Sequence, residues 1–152
     1  MSRTAKVALW VLASGAVVSC DASEAGEVPA PDYDAWERDV YPIVLRDCGF
    51  PACHGNSDRP YAVYGPNRLR FDPETEADAP PTTAELYQSY QRARSMLVGP
   101  DVEESPLLRK VLPGGGHRGV DRLGRSVYPD ENDPSYEVLR AWATGELWYG
   151  EP

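Results

Sequence analysis

Apolar residues recur at helical spacing in four stretches of the chain. Trp36, Val40, Ile43 and Val44 predict a helix over 35–47, with Asp34 and Glu37 three residues apart as a capping box and a kink at Pro42. Leu86, Tyr90, Ala93 and Leu97 share one face of a second helix running from Thr82 to Leu97, and Thr82 with Glu85 repeats the box. A short third helix spans Ser105 to Leu112 with Pro106 at its first position, where a missing N–H costs nothing. The last has Asp133 as cap, Pro134 in the first turn, Tyr136, Leu139, Trp142 and Ala143 facing inward, and Gly145 as its stop. Between the first two helices the period changes: Arg68, Leu69, Arg70 and Phe71 alternate after a Gly65-Pro66-Asn67 turn, which predicts one short β-hairpin over 61–71. The acidic, proline-broken stretch 72–81 reads as a surface loop. The fold class is mainly α, a small helical domain with long Gly/Pro-rich loops. Its first and last helices, each with a central Trp, are expected to meet.

The N-terminus follows a different pattern. Arg3 and Lys6 precede an apolar run from Val7 to Val18 broken only by small Ser14 and Gly15, and residues 1–19 contain no acid. This is the layout of an export signal, too short for a permanent membrane span. Val17-Val18-Ser19-Cys20 resembles the bacterial lipobox, which implies cleavage before Cys20 and lipid on that cysteine. The plainer alternative is an ordinary cleaved signal with a chance cysteine. Residues 20–32 contain almost no large apolar side chain and read as a flexible acidic tether, which leaves 33–152 as the folded domain.

Composition narrows the function. A chain of 152 residues with 13 glycines and 15 prolines has no room for a long coiled coil or several domains. The net charge of −9, from 24 acids and 15 bases, excludes a nucleic-acid binder, since such proteins neutralise phosphates with Lys and Arg. Removing the cationic signal makes the remainder more acidic still, and these acids could steer a basic redox partner. A small loop-rich domain has a thin core and relies on a cofactor or a covalent staple.

The candidate for either is Cys48-Gly-Phe-Pro-Ala-Cys53-His54. Covalent haem attachment needs two thiols to reach one edge of the macrocycle and an imidazole directly after the second thiol to reach the iron. The common form has two residues between the cysteines; here there are four, with Gly49 and Pro51 suited to a bulge. A Cys48–Cys53 disulfide in an oxidising compartment is the alternative that demands least. A Cys2His2 zinc site from Cys48, Cys53, His54 and His117 has the correct ligand number but departs from finger spacing.

The segment resembles the longer C-x4-C-H variant of c-type cytochromes. The surroundings extend the likeness. Val40-Tyr-Pro-Ile-Val-Leu before the cysteines, and Ser105-Pro-Leu-Leu-Arg-Lys110 leading to Gly114-Gly-Gly-His117-Arg-Gly119, are similar to the cytochrome-c-like domains of planctomycete type found in exported bacterial lipoproteins. The chain departs from that pattern in its four-residue spacing and in Val120, where a second glycine would stand. The resemblance implies one covalent haem c per chain, held by thioethers to Cys48 and Cys53, with His54 as the proximal iron ligand and His117 as the distal one. Met96 is the alternative distal ligand, and an open position would permit small-ligand chemistry. Arg109, Lys110, Arg118, Arg122 and Arg125 are candidates to meet haem propionates, or simply form a solvated basic face.

No phosphate-cradling loop, Ser-His-Asp set or paired-carboxylate motif stands out, so an electron carrier is favoured over an enzyme. The expected protein is therefore a monohaem carrier of single electrons between exported redox proteins, anchored in the bacterial cell envelope through Cys20 and facing the periplasm or the exterior. The alternative is a haem-free lipoprotein binding or scaffold module stapled by Cys48–Cys53.

Overall fold

A computed structural model describes residues 30–117 and 124–149. The expected signal, Cys20, most of the expected tether, and Arg118 and Arg122 lie outside the described residues.

The first helix begins earlier than its periodicity suggests. Helix α1 (Tyr33–Ala35) is capped by Asp32, whose carboxylate accepts the Ala35 N–H at 2.6 Å, so the expected Asp34 box gives way to a cap two residues upstream. The cause is tertiary. The Tyr90 hydroxyl donates to the Pro31 carbonyl at 2.7 Å and Trp142 Nε1 donates to the Asp32 carbonyl at 2.8 Å, which draws the last residues assigned to the tether into the fold.

A π-helical turn (Trp36–Val40) follows and leads directly into α2 (Tyr41–Asp47). In that turn the Tyr41 N–H reaches back five residues to the Trp36 carbonyl. Pro42 has no N–H and its ring crowds the carbonyl four residues before it. The widened turn ahead of Pro42 accommodates that conflict.

The later helices follow their local signals more closely. Helix α3 (Thr83–Arg94) carries the full capping box: Thr82 Oγ1 accepts the Glu85 N–H and Glu85 accepts the Thr82 N–H. It ends short of Leu97, in turns. Helix α4 (Pro106–Arg109) is shorter than its sequence pattern and passes into turns at Lys110, while the Ser105 hydroxyl before it makes no cap and accepts the Val98 N–H at 2.9 Å. Helix α5 (Pro134–Thr144) starts at the Asp133 cap and stops at Gly145, whose φ of 81° is left-handed.

Among the described residues there is no strand, and the fold is mainly α as expected. The hairpin over 61–71 reduces to a single bridge between Tyr64 and Leu69, although the turn between them closes, with Arg68 N–H donating to the Gly65 carbonyl. One backbone donor beyond the bridge, the Phe71 N–H, is taken by Glu85. Its carboxylate receives Arg70 through Nε and Nη2, both at 2.9 Å, and also the Phe71 N–H at 3.0 Å. Arg70 continues to the Ala79 carbonyl at 2.7 Å and so ties loop 72–81 to the start of α3.

Helices α1–α2, α3 and α5 meet around aromatic rings. Trp36 and Trp142 are fully buried with ring centres 5.1 Å apart, and Tyr90 meets each edge-on at 6.1 Å. The expected contact between first and last helices is therefore present. Among the described residues no helix is long and apolar enough to cross a membrane.

The Arg70–Glu85 pair is nearly inaccessible to solvent, with side-chain exposures of 7% and 1%. Burial alone would raise the Glu85 pKa. The Thr82 and Phe71 N–H groups and the Arg70 guanidinium outweigh it and hold the carboxyl below its ordinary value. In the unfolded chain the group titrates near its reference value of about 4.3. The stabilisation is thus present above that pH and is lost as pH falls through the lower folded-state value. Glu85→Gln, which strands the buried guanidinium, is expected to cost about 3–5 kcal/mol in urea unfolding at neutral pH. It should also flatten the acid side of the stability profile; an acid side as steep as the parent's would remove the pair from this role.

Candidate functional site

Helix α2 delivers the chain into the cysteine segment. The N–H groups of Cys48 and Gly49 both return to the Val44 carbonyl, at 2.9 and 3.1 Å, and end the helix. The intervening residues then fold back on themselves. Cys53 and Gly55 donate to the Phe50 carbonyl at 2.8 and 2.9 Å, and the His54 N–H reaches the Cys48 carbonyl at 3.0 Å. The four residues between the cysteines are therefore looped out, and the backbone of the Cys-His step lies beside the first cysteine. Phe50, at the outer part of the loop, is about half exposed and stacks under the Arg68 guanidinium at 4.4 Å.

Two glycines make this loop possible. A Cβ on Gly49 would stand 2.6 Å from the Leu45 carbonyl oxygen, and one on Gly55 would strike the Gly49 carbonyl. Gly49 is expected from the sequence. Gly55, directly after His54, is an equally firm requirement, and its only signal is its position.

The Cys48 side chain joins the apolar cluster, while Cys53 is half-buried, and both thiols are free. Burial, reinforced by the charges of Asp47 and Cys53, pushes the Cys48 thiol up to about 12, so it remains protonated at neutral pH.

The His54 ring is fixed on two sides. Nδ1 lies 2.7 Å from the Tyr61 carbonyl oxygen, and the Tyr61 ring packs against the imidazole at a centre distance of 4.7 Å. A carbonyl only accepts, so Nδ1 carries the proton and Nε2 presents its lone pair. Burial lowers the His54 pKa below the ordinary histidine value, against the opposing pull of that carbonyl, with His117 and Arg59 lowering it further. The result is a neutral imidazole with a bare Nε2, the form in which histidine binds a metal; hydrogen bonding of the other ring nitrogen is the usual orienting device. Tyr61 itself is buried beside Cys48 and Tyr128, and its hydroxyl has no hydrogen-bond partner.

His117 is brought to the same place. Its ring centre lies 5.9 Å from that of His54, with 39° between the planes. Metal–imidazole bonds of about 2 Å on opposite sides of one ion put the two ring centres about 6 Å apart. The spacing of the two ring centres is compatible with both imidazoles donating to one metal ion, and the buried Tyr61 hydroxyl without a partner leaves a polar group beside them. Met96 instead packs, partly buried, against the apolar cluster just beyond α3.

No family model, curated protein or solved structure matches the chain.

The other sequence candidates resolve differently. Among the described residues no three Cys, His, Asp or Glu side chains converge as metal donors, so the Cys2His2 zinc alternative lacks its ligand set. Arg109 of the basic run pairs with Glu104 at 3.5 Å, both largely exposed. Two open clefts, one beside Arg109 and Asp130 and one beside Glu103 and Arg140, share no residue with the cysteine loop.

Nitrogen NMR of the reduced, haem-free chain should find His54 protonated at Nδ1, in contrast to free imidazole side chains, which favour Nε2. An Nε2-protonated His54 would mean that the Tyr61 carbonyl does not hold it. Gly55→Val should broaden or displace the same resonances, because its side chain has no space against the Gly49 carbonyl.

Proposed function

We propose that the chain is a lipid-anchored, monohaem c-type cytochrome-like protein that carries single electrons between exported redox proteins in the bacterial cell envelope. The observation that carries this reading is the facing pair of histidines, 5.9 Å between ring centres, with His54 already held as a neutral imidazole by the Tyr61 carbonyl. It stands on the residue that follows the second thiol of a C-x4-C-H segment, where haem ligation requires it.

Haem c bound there supplies a one-electron ferric/ferrous couple. Cys48 and Cys53 would hold it through thioethers, and His54 Nε2 would be the proximal donor. The Tyr61 carbonyl keeps that ring from rotating and makes it a stronger base. His117 would supply a second imidazole donor. A second imidazole in place of a thioether favours the ferric state and a lower potential than a His/Met pair, and it leaves no position for a substrate. The apolar residues around Cys48 exclude water from one side of the site. Cys20, placed in its lipobox-like setting, supplies the anchor.

Co-expression with a cytochrome c maturation system should yield red protein that keeps its haem after denaturation, with the reduced visible bands of a c-type centre. Colourless protein with an oxidised Cys48–Cys53 pair would overturn this function in favour of the haem-free scaffold. In the haem-loaded chain, His117→Ala should convert a low-spin spectrum to one with a weak or vacant sixth position. An unchanged spectrum would transfer the distal role to Met96 or to an open site.

A further inference from the structure

The two histidines stand on segments that no single helix joins. His54 ends the cysteine loop, whose root is Asp47-Cys48 at the end of α2, and its N–H returns to the Cys48 carbonyl at 3.0 Å. His117 ends the turns that leave α4 through Val111 and Leu112. There the Gly115 N–H donates to the Leu112 carbonyl at 3.1 Å, and a Cβ on Gly115 would strike the Arg109 carbonyl, so these turns lie closely on the end of α4. Each segment is thus fixed at its own root. The separation of the two imidazoles depends on what joins the roots.

Tyr128 is bonded to both. Its N–H donates to the Val111 carbonyl at 3.1 Å and its hydroxyl to Asp47 Oδ2 at 3.3 Å, although Asp47 lies 81 residues away in the chain. The side chain is buried, with its ring 6.1 Å from that of Tyr136 at the start of α5. Burial, with the charges of Cys48 and Asp47 adding to it, raises the Tyr128 pKa, so the hydroxyl stays a donor at neutral pH. The acceptor is held as well. Arg46 binds both Asp47 carboxylate oxygens at 2.7 Å and reaches Ser135 Oγ at 2.8 Å, which ties the end of α2 to the start of α5.

We infer that Tyr128 is a positioning residue for the histidine pair: bonded to Val111 on one side and to Asp47 on the other, it holds the root of the His117 turns against the root of the cysteine loop and so sets the spacing of the two imidazoles. That spacing is the 5.9 Å between their ring centres. The bearing of this on iron rests on the haem reading proposed above, whereas the spacing itself is a property of the haem-free chain. A rigid phenol ring suits the task, because it leaves no bendable joint between Cβ and the hydroxyl that meets Asp47.

The test begins with the full chain, reduced and haem-free, and with Tyr128→Phe, which keeps the ring and the bond to Val111 and removes the one to Asp47. The nuclear Overhauser contact between the His54 and His117 rings should weaken by about half or more. His54 should stay protonated at Nδ1, because the Tyr61 carbonyl is untouched. Tyr136→Phe, which removes a hydroxyl from the neighbouring buried ring, should leave the contact at its parent strength. In the haem-loaded chain, Tyr128→Phe should speed the displacement of His117 from ferrous iron by carbon monoxide about two- to ten-fold, the range that a single hydrogen bond supplies. A ring contact absent from the parent, or as strong in Tyr128→Phe as in the parent, would overturn the inference. An equal loss in Tyr136→Phe would overturn it too, since the effect would then be a general loosening of the core. A chain that takes up no haem would defeat the haem reading and leave the ring contact to decide the role of Tyr128.

Discussion

The contact on which the rest of the structure depends is the buried meeting of Trp36 and Trp142, with Tyr90 against both rings. These three side chains come from the first, last and middle helices, so one cluster joins sequence segments more than a hundred residues apart. Its polar atoms matter as much as its area. Trp142 Nε1 and the Tyr90 hydroxyl satisfy themselves on the Asp32 and Pro31 carbonyls, which fixes where α1 begins. From that start the rod of α1, π-turn and α2 runs without interruption to Asp47 and sets the position of Cys48. The aromatic cluster therefore locates the cysteine loop although it touches none of the loop's polar atoms.

At the other end of the rod the problem is to bring Cys53 and His54 back beside Cys48 despite four intervening residues. The backbone achieves this with hydrogen bonds to two carbonyls, Phe50 and Cys48, at the cost of requiring glycine at 49 and 55. What makes the resulting site chemically specific is a main-chain oxygen. The Tyr61 carbonyl selects the Nδ1-protonated tautomer of His54, and the half-buried setting keeps the ring neutral, so Nε2 is ready to bind without first losing a proton. His117 stands beside it, with 5.9 Å between the ring centres, so two imidazoles from distant parts of the chain meet at the end of the cysteine loop.

Much of this was legible in local sequence, for identifiable reasons. Thr82 with Glu85 and Asp133 with Pro134 and Gly145 bound their helices correctly, since each signal is satisfied within one turn of backbone. The Cys48, Cys53 and His54 segment was likewise visible, because the chemistry depends on neighbours in the chain. The signals that misled were those with a distant competitor. Asp34 lost the cap to Asp32 because side chains from α3 and α5 hold the residues before it. The alternation at 68–71 suggested a hairpin, yet Arg70 and the Phe71 N–H went to Glu85, a residue whose sequence role was only to cap a helix.

The sequence by itself determined which elements are helical, that the fold is mainly α, and which residues carry the candidate chemistry, because capping, helical period and the Cys-His adjacency are properties of a few consecutive residues. Only the tertiary structure decided that Tyr61 would hold His54, that His117 would face it, and that Arg70 would be buried on Glu85. Each of these joins groups distant in the chain, and a main-chain carbonyl is the same at every position until folding chooses which one a side chain will meet.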